Sequence, residues 1–154
     1  MIEQVERQRV IAVAQSYLRT PYHHAGRVKG VGVDCLTLLA LVYSESGLID
    51  TPEIPHYPPD WHLHRSTERY LNGLLQYTRE VPVPQPGDIA LWRFGRAFSH
   101  GAIVIQWPQI IHAYVGSGCV LEDANRAVWL RTVGESAQNR GKEREIKFFS
   151  CWGR

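Results

Sequence analysis

Several large classes of protein are excluded by what this chain lacks. It has three cysteines, Cys35, Cys119 and Cys151, an odd number at wide and irregular spacing with no Cys-x-x-Cys pair. That pattern offers neither a disulfide framework nor a zinc-type ligand set, and a reducing compartment is the default. Excess positive charge is also scarce. Seventeen Lys and Arg stand against fifteen Asp and Glu, a formal net charge of +2, too little for an electrostatic footprint on nucleic acid. No apolar run is long enough to span a bilayer. The first nine residues carry Glu3, Glu6, Arg7 and Arg9 with no apolar segment of the kind an export signal needs, so the protein is expected to be cytoplasmic when made. Repeats and low-complexity tracts are missing too.

What remains is an ordinary globular composition, 44% hydrophobic and 21% charged, which excludes wholesale disorder. A chain of 154 residues fits a single domain over 1–154, able to bury roughly two-thirds of its unfolded surface without a metal or disulfide. Val10, Val13, Ala14, Tyr17 and Leu18 recur at helical period and stop at Thr20-Pro21, predicting an amphipathic helix. Residues 22–33 hold Gly26, Gly30 and Gly32 among basic residues and read as a loop able to approach a ligand closely. The loop leads into Asp34-Cys35, then into Leu36, Leu38, Leu39, Ala40, Leu41, Val42 and Tyr43. This is a helix buried almost all round, with Asp34 as its N-cap and Ser46-Gly47 as its end. Four prolines make residues 51–60 irregular, and Tyr70, Leu71, Leu74 and Leu75 predict a surface helix.

After Pro86-Gly87-Asp88 the apolar period falls to two. Strands are predicted over 89–94, 101–107, 110–115, 119–122, 128–133 and 146–152. Helices first and strands afterwards make an α+β domain, with an antiparallel sheet of five to six strands packed on the helix that starts at Cys35.

A thiol attacks as thiolate, and a cysteine in the first turn of a helix gains from the unpaired backbone amides there. Cys35 occupies that position. Asp34 opposes ionisation, so an imidazolium nearby is needed to hold the thiolate; the bland alternative is a small buried apolar residue. His100 opens the strand Ser99-His100-Gly101-Ala102-Ile103. His112 lies on the next one, Ile110-Ile111-His112-Ala113, across a turn at Trp107-Pro108. The turn makes the two histidines diagonal neighbours, roughly 7–8 Å apart at the backbone, which an imidazole pair can bridge. A lone histidine on an apolar strand is an ordinary core residue; two on one hairpin beside a helix-start cysteine point to nucleophilic catalysis. His23, His24, His56, His62 and His64 read as solvated loop histidines, since nothing completes a tetrahedral set around them. Trp61, Trp92, Trp107, Trp129 and Trp152 read as core or groove wall. Cys119 and Cys151 read as packing residues.

Thr20-Pro21-Tyr22, Gly32-Val33-Asp34-Cys35, Pro86-Gly87-Asp88, His100-Gly101-Ala102-Ile103 and Ile111-His112-Ala113 follow one another in the order and spacing of a known family. Together they resemble the NlpC-type cell-wall cysteine endopeptidases, and the glycine-rich loop, proline-rich insertion and Tyr57-Pro58-Pro59-Asp60-Trp61 run resemble the branch associated with phage tails and gene-transfer agents. The resemblance implies a papain-like fold with Cys35 as nucleophile, His100 as general base and His112 as the orienting third member. It also implies Tyr22 and Asp34 as substrate-binding residues, no cofactor or metal, and peptidoglycan stem peptides as substrate, cut next to D-glutamate. Phage tail proteins are the implied partners and the virion tail a second location. The alternatives are an idle structural or assembly protein of a tail tip, and an amidase or acyltransferase using the same triad. One departure stands out. The family has Ser-Gly or Leu-Gly after the cysteine; here Leu36-Thr37 puts a larger side chain at the helix start.

Overall fold

A computed structural model describes residues 2–50, 72–73, 75–95, 97–131 and 143–153. Helix α1 (Ile2–Ser16) is followed by the two-residue strands β1 (Arg27–Val28) and β2 (Gly32–Val33), then by α2 (Cys35–Glu45). Next come β3 (Arg79–Val81), β4 (Ile89–Phe94), β5 (Ala97–Gln106), β6 (Gln109–Tyr114), β7 (Gly118–Asp123), the single-turn helix α3 (Val128–Arg131) and β8 (Ile146–Ser150). The six longer strands form one antiparallel sheet in the order β3-β8-β4-β5-β6-β7, and β1 and β2 pair separately. The expected α+β class is what folds.

Alternation along the strands splits the apolar residues between two cores. Ile89, Leu91, Ile103, Ile111 and Ala113 face the helices, packing with Val10 and Ala14 of α1, with Tyr17 just after it, and with Leu36, Leu38, Leu39, Val42 and Tyr43 of α2. Ala90, Trp92, Ala102, Val104 and Ile110 form the second cluster with Ala124, Ala127 and Leu130. Gly101 lets α2 lie directly on the sheet, because a Cβ there would come within 2.6 Å of the Leu39 side chain.

The structure differs from the sequence expectations in four places. Helix α1 begins eight residues before Val10, since the early turns are held by a charged residue rather than an apolar stripe. Arg7, 7% exposed, donates to Asp88 Oδ1 at 2.8 Å and to the Pro86 carbonyl at 2.9 Å, so the Pro86-Gly87-Asp88 turn is where α1 docks. Part of the 22–33 loop is a short hairpin, and β3 is an unforeseen edge strand beside β8. Residues 128–131 are helical, not extended. There Asp123 starts a turn, its carboxylate accepting from the Asn125 N–H and its carbonyl from the Ala127 N–H, and this overrides the β preference of Val128 and Trp129. The predicted surface helix is helical at 72, 73 and 75. The proline-rich stretch, the Tyr57–Trp61 run, His56, His62 and His64 lie outside the described residues.

Candidate active site

Asp34 stands at the α2 N-cap in extended conformation, as its sequence position suggests. One carboxylate oxygen accepts from the N–H groups of Leu36 and Thr37, both at 2.9 Å, and the other accepts from the Ala25 N–H at 2.8 Å. The group that starts the helix therefore also ties down the glycine-rich loop. Thr37, instead of crowding the helix start, completes it. Its Oγ1 accepts from the Asp34 N–H at 2.9 Å, closing a capping box, and its side chain is fully buried.

Cys35 is thereby fixed as the first residue of α2, lying against the main chain of β5. Its thiol donates to the Ser99 carbonyl at 3.7 Å, and the Gly101 N–H favours its ionised form. The cysteine thus touches the backbone on both sides of His100. Tyr22 is half-buried beside it; burial, then Cys35 and Asp34, push its hydroxyl well above the usual phenol range.

On the strands, the pairings Ile103↔Ile111 and Val104↔Ile110 make His100 and His112 diagonal neighbours, as the hairpin implies. His100 Nε2 and His112 Nδ1 are 2.8 Å apart and share a hydrogen bond. Sequence reasoning missed the two groups that complete the cluster. Glu122 on β7 lies 2.7 Å from His112 Nε2. The indole of Trp129 stacks on His112 at 5.8 Å and 8° and meets His100 edge-on at 5.1 Å and 73°. Arg144 is bonded to the Trp129 segment, donating to the Trp129 carbonyl at 2.8 Å and lying over the Phe94 ring at 3.8 Å.

The electrostatics run against one expectation, a resting thiolate held by an imidazolium. Burial pushes the Cys35 thiol up to about 12, and the charge of Asp34 adds to the rise. The N–H groups of Gly101, Cys35 and Leu36 pull the other way but do not prevail. Burial holds His100 well below the ordinary 6.5, assisted by His112 and Arg144. His112 is lowered as well, burial outweighing the Glu122 carboxylate. At neutral pH the thiol and both imidazoles are uncharged, so no imidazolium holds a resting thiolate. Burial also pushes the Cys119 thiol up to about 12, and what sets Cys35 apart is its place at the α2 start against the backbone that carries His100.

Among the described residues no cluster of His, Cys, Asp or Glu could hold a metal ion, and no helix is long and apolar enough to cross a membrane.

No protein-family model matches the chain, and no curated protein matches it. Solved structures do. The NlpC/p60 domain of the peptidoglycan hydrolase SagA aligns with a TM-score of 0.56 at 18% identity, covering 92% of this chain and 96% of that one. NlpC2 from Trichomonas vaginalis aligns at 0.54 and 18% identity over 79% of this chain. An NlpC/p60 family protein from Bacillus cereus aligns at 0.53 and 21% identity over 80%. This chain spans only 43% and 36% of those two proteins. Across 18–21% identity the shared property is architecture, and the chain has the fold of NlpC/p60 domains.

Proposed function

We propose that the protein is an NlpC/p60-type cysteine hydrolase that cleaves peptidoglycan stem peptides, with Cys35 as nucleophile, His100 as general base and His112 as the residue that orients it. The observation that carries this reading is the helix-start thiol seated against the β5 backbone on both sides of His100, whose ring is bonded to His112 at 2.8 Å. In the SagA structure the same fold belongs to a peptidoglycan hydrolase.

Because the resting groups are neutral, the first step is a concerted proton transfer. The thiol leaves the Ser99 carbonyl, gives its proton to His100 Nδ1 and attacks the scissile carbonyl carbon through sulfur. The oxyanion is met by the Cys35 main-chain N–H at the α2 start, since those of Leu36 and Thr37 are given to Asp34. Collapse expels the amine, which takes the proton from His100 and leaves a thioester on Cys35. Water then gives a proton to His100, attacks the thioester, and releases the acid and the free thiol. Tyr22 lines the substrate side of the thiol. Asp34 was expected to bind substrate; its oxygens are occupied by Leu36, Thr37 and Ala25, and we assign it the holding of the loop instead. The finer reading, cleavage next to D-glutamate by a phage-tail-borne enzyme, rests on the sequence resemblance.

A second reading, an idle structural component of a tail tip, is favoured by the thiol's raised pKa and its bond to a carbonyl rather than to an imidazole. Incubating wild type and Cys35→Ala with free and disaccharide-linked stem peptides and with casein, followed by mass spectrometry, separates the two. Cleavage of stem peptides alone, lost in a folded Cys35→Ala, is expected. Casein cleavage with stem peptides intact overturns the murein assignment, and inertness toward all three selects the structural reading.

A further inference from the structure

His100, His112 and Glu122 sit on three successive strands, each displaced diagonally from the last. His112 pairs with Val120 and Ile110 with Glu122, so the β6–β7 step repeats the diagonal of the β5–β6 step. The three side chains form one hydrogen-bonded line, 2.8 Å between the imidazoles and 2.7 Å from His112 Nε2 to the carboxylate. The carboxylate end of this line can only accept. The proton in the outer bond must therefore sit on His112 Nε2, because an imidazole lone pair facing a carboxylate oxygen at that distance is repulsive. A neutral His112 then presents a lone pair at Nδ1, which accepts from a proton on His100 Nε2. A neutral His100 in turn has its lone pair at Nδ1.

We propose that Glu122 is a positioning residue that sets the direction of this relay, holding His112 as the Nε2–H tautomer and so leaving His100 Nδ1 unprotonated. The bearing on catalysis rests on His100 being the base of the proposed hydrolase; the protonation pattern itself does not.

The surroundings protect the pattern in two ways. Trp129, stacked on His112 and edge-on to His100, and Tyr114, 4.9 Å from the His112 ring, block the ring flips that would exchange the nitrogens. Burial also keeps His112 from taking a second proton despite the carboxylate, with Arg144 acting against protonation of His100. A doubly protonated His112 would donate both ways and move the His100 proton to Nδ1, abolishing the base. Among the described residues bonded to the imidazoles, Glu122 is the one that breaks the symmetry between the two directions.

The test is a long-range proton–nitrogen correlation spectrum of the full chain with nitrogen-15-labelled histidine at pH 7.5, recorded for wild type, Glu122→Gln and Glu122→Ala. Wild type should show both histidines protonated at Nε2 only. Glu122→Gln, whose amide oxygen still accepts, should keep the pattern. Glu122→Ala should lose it, with kcat on stem peptides falling about tenfold or more and KM little changed. A wild-type His112 protonated at Nδ1, or a pattern unchanged in Glu122→Ala, overturns the proposal. The spectrum reads the relay without turnover, so a correct pattern in a protein inert to every murein fragment supports the relay while removing the hydrolase reading.

Discussion

Cys35 is placed by neighbours in sequence, whereas His100, His112 and Glu122 are placed by neighbours in space. At the α2 start, Asp34, Leu36 and Thr37 close a capping box within four residues, and Ala25 adds a tie nine residues away. The imidazole relay instead depends on the register of β5, β6 and β7 and on Trp129 from a helix beyond them. The first arrangement is a local device that makes the nucleophile's position cheap to maintain. The second is rigid only while the sheet and its second core are intact, and it fixes proton positions that a local motif could not. Damage to the capping box around the thiol should thus appear mainly as lost stability, and damage to the imidazole side mainly as lost chemistry.

Among variants that keep the Cys35 thiol, the largest expected effect is on the imidazole side. His100→Ala should lower kcat/KM on stem peptides by about a thousandfold, within the range for loss of a general base. His112→Asn, which still offers a hydrogen bond to His100, should retain more activity than His112→Ala. Equal activities for wild type and His100→Asn would show that the relay is not used.

On the thiol side, Asp34→Ala removes acceptors from three N–H groups at once and should destabilise the fold by about 2 kcal/mol, read by denaturant unfolding. Thr37→Gly, which inserts the residue of the resembling family, should cost about 1 kcal/mol. A Thr37→Gly variant as stable as wild type would mean the capping box contributes nothing.

The pH dependence separates the two sides most finely. His100 and His112 titrate below their ordinary 6.5 in the folded chain, so between 6.5 and the folded values protons bind the unfolded chain preferentially. Stability should be full above 6.5 and fall as pH drops through that window, by up to about 1.4 kcal/mol per pH unit for each histidine. His112 faces Glu122, Tyr114 and His100, and Arg144 acts on His100. Replacing both histidines with Gln should flatten the slope, while Thr37→Gly should leave it unchanged.

The same division governs how much could be read from the sequence. Asp34 as N-cap and the diagonal of His100 and His112 were legible because each depends on a short stretch with a fixed period or a tight turn. Glu122 was not: its meeting with His112 needs the β6–β7 register, although its alternation with Val120 on one strand was a usable signal. Trp129 was misplaced because β-favouring residues over 128–133 read as a strand, and the Asp123 turn that redirects 128–131 into a helical turn is a local hydrogen-bonding effect that periodicity does not register. The N-terminal half of α1 escaped because its anchor is Arg7, a charge that looks like surface until Asp88 is seen beside it.

The central claim, that Cys35 is the nucleophile of an acyl transfer driven by this relay, is tested most directly by trapping the thioester. Wild type mixed with a stem peptide, quenched in acid within one turnover and mapped by mass spectrometry should carry the acyl half of the peptide on Cys35 and none on Cys119 or Cys151. Cleavage that proceeds with no acyl group on Cys35, or that survives in Cys35→Ala, would contradict it.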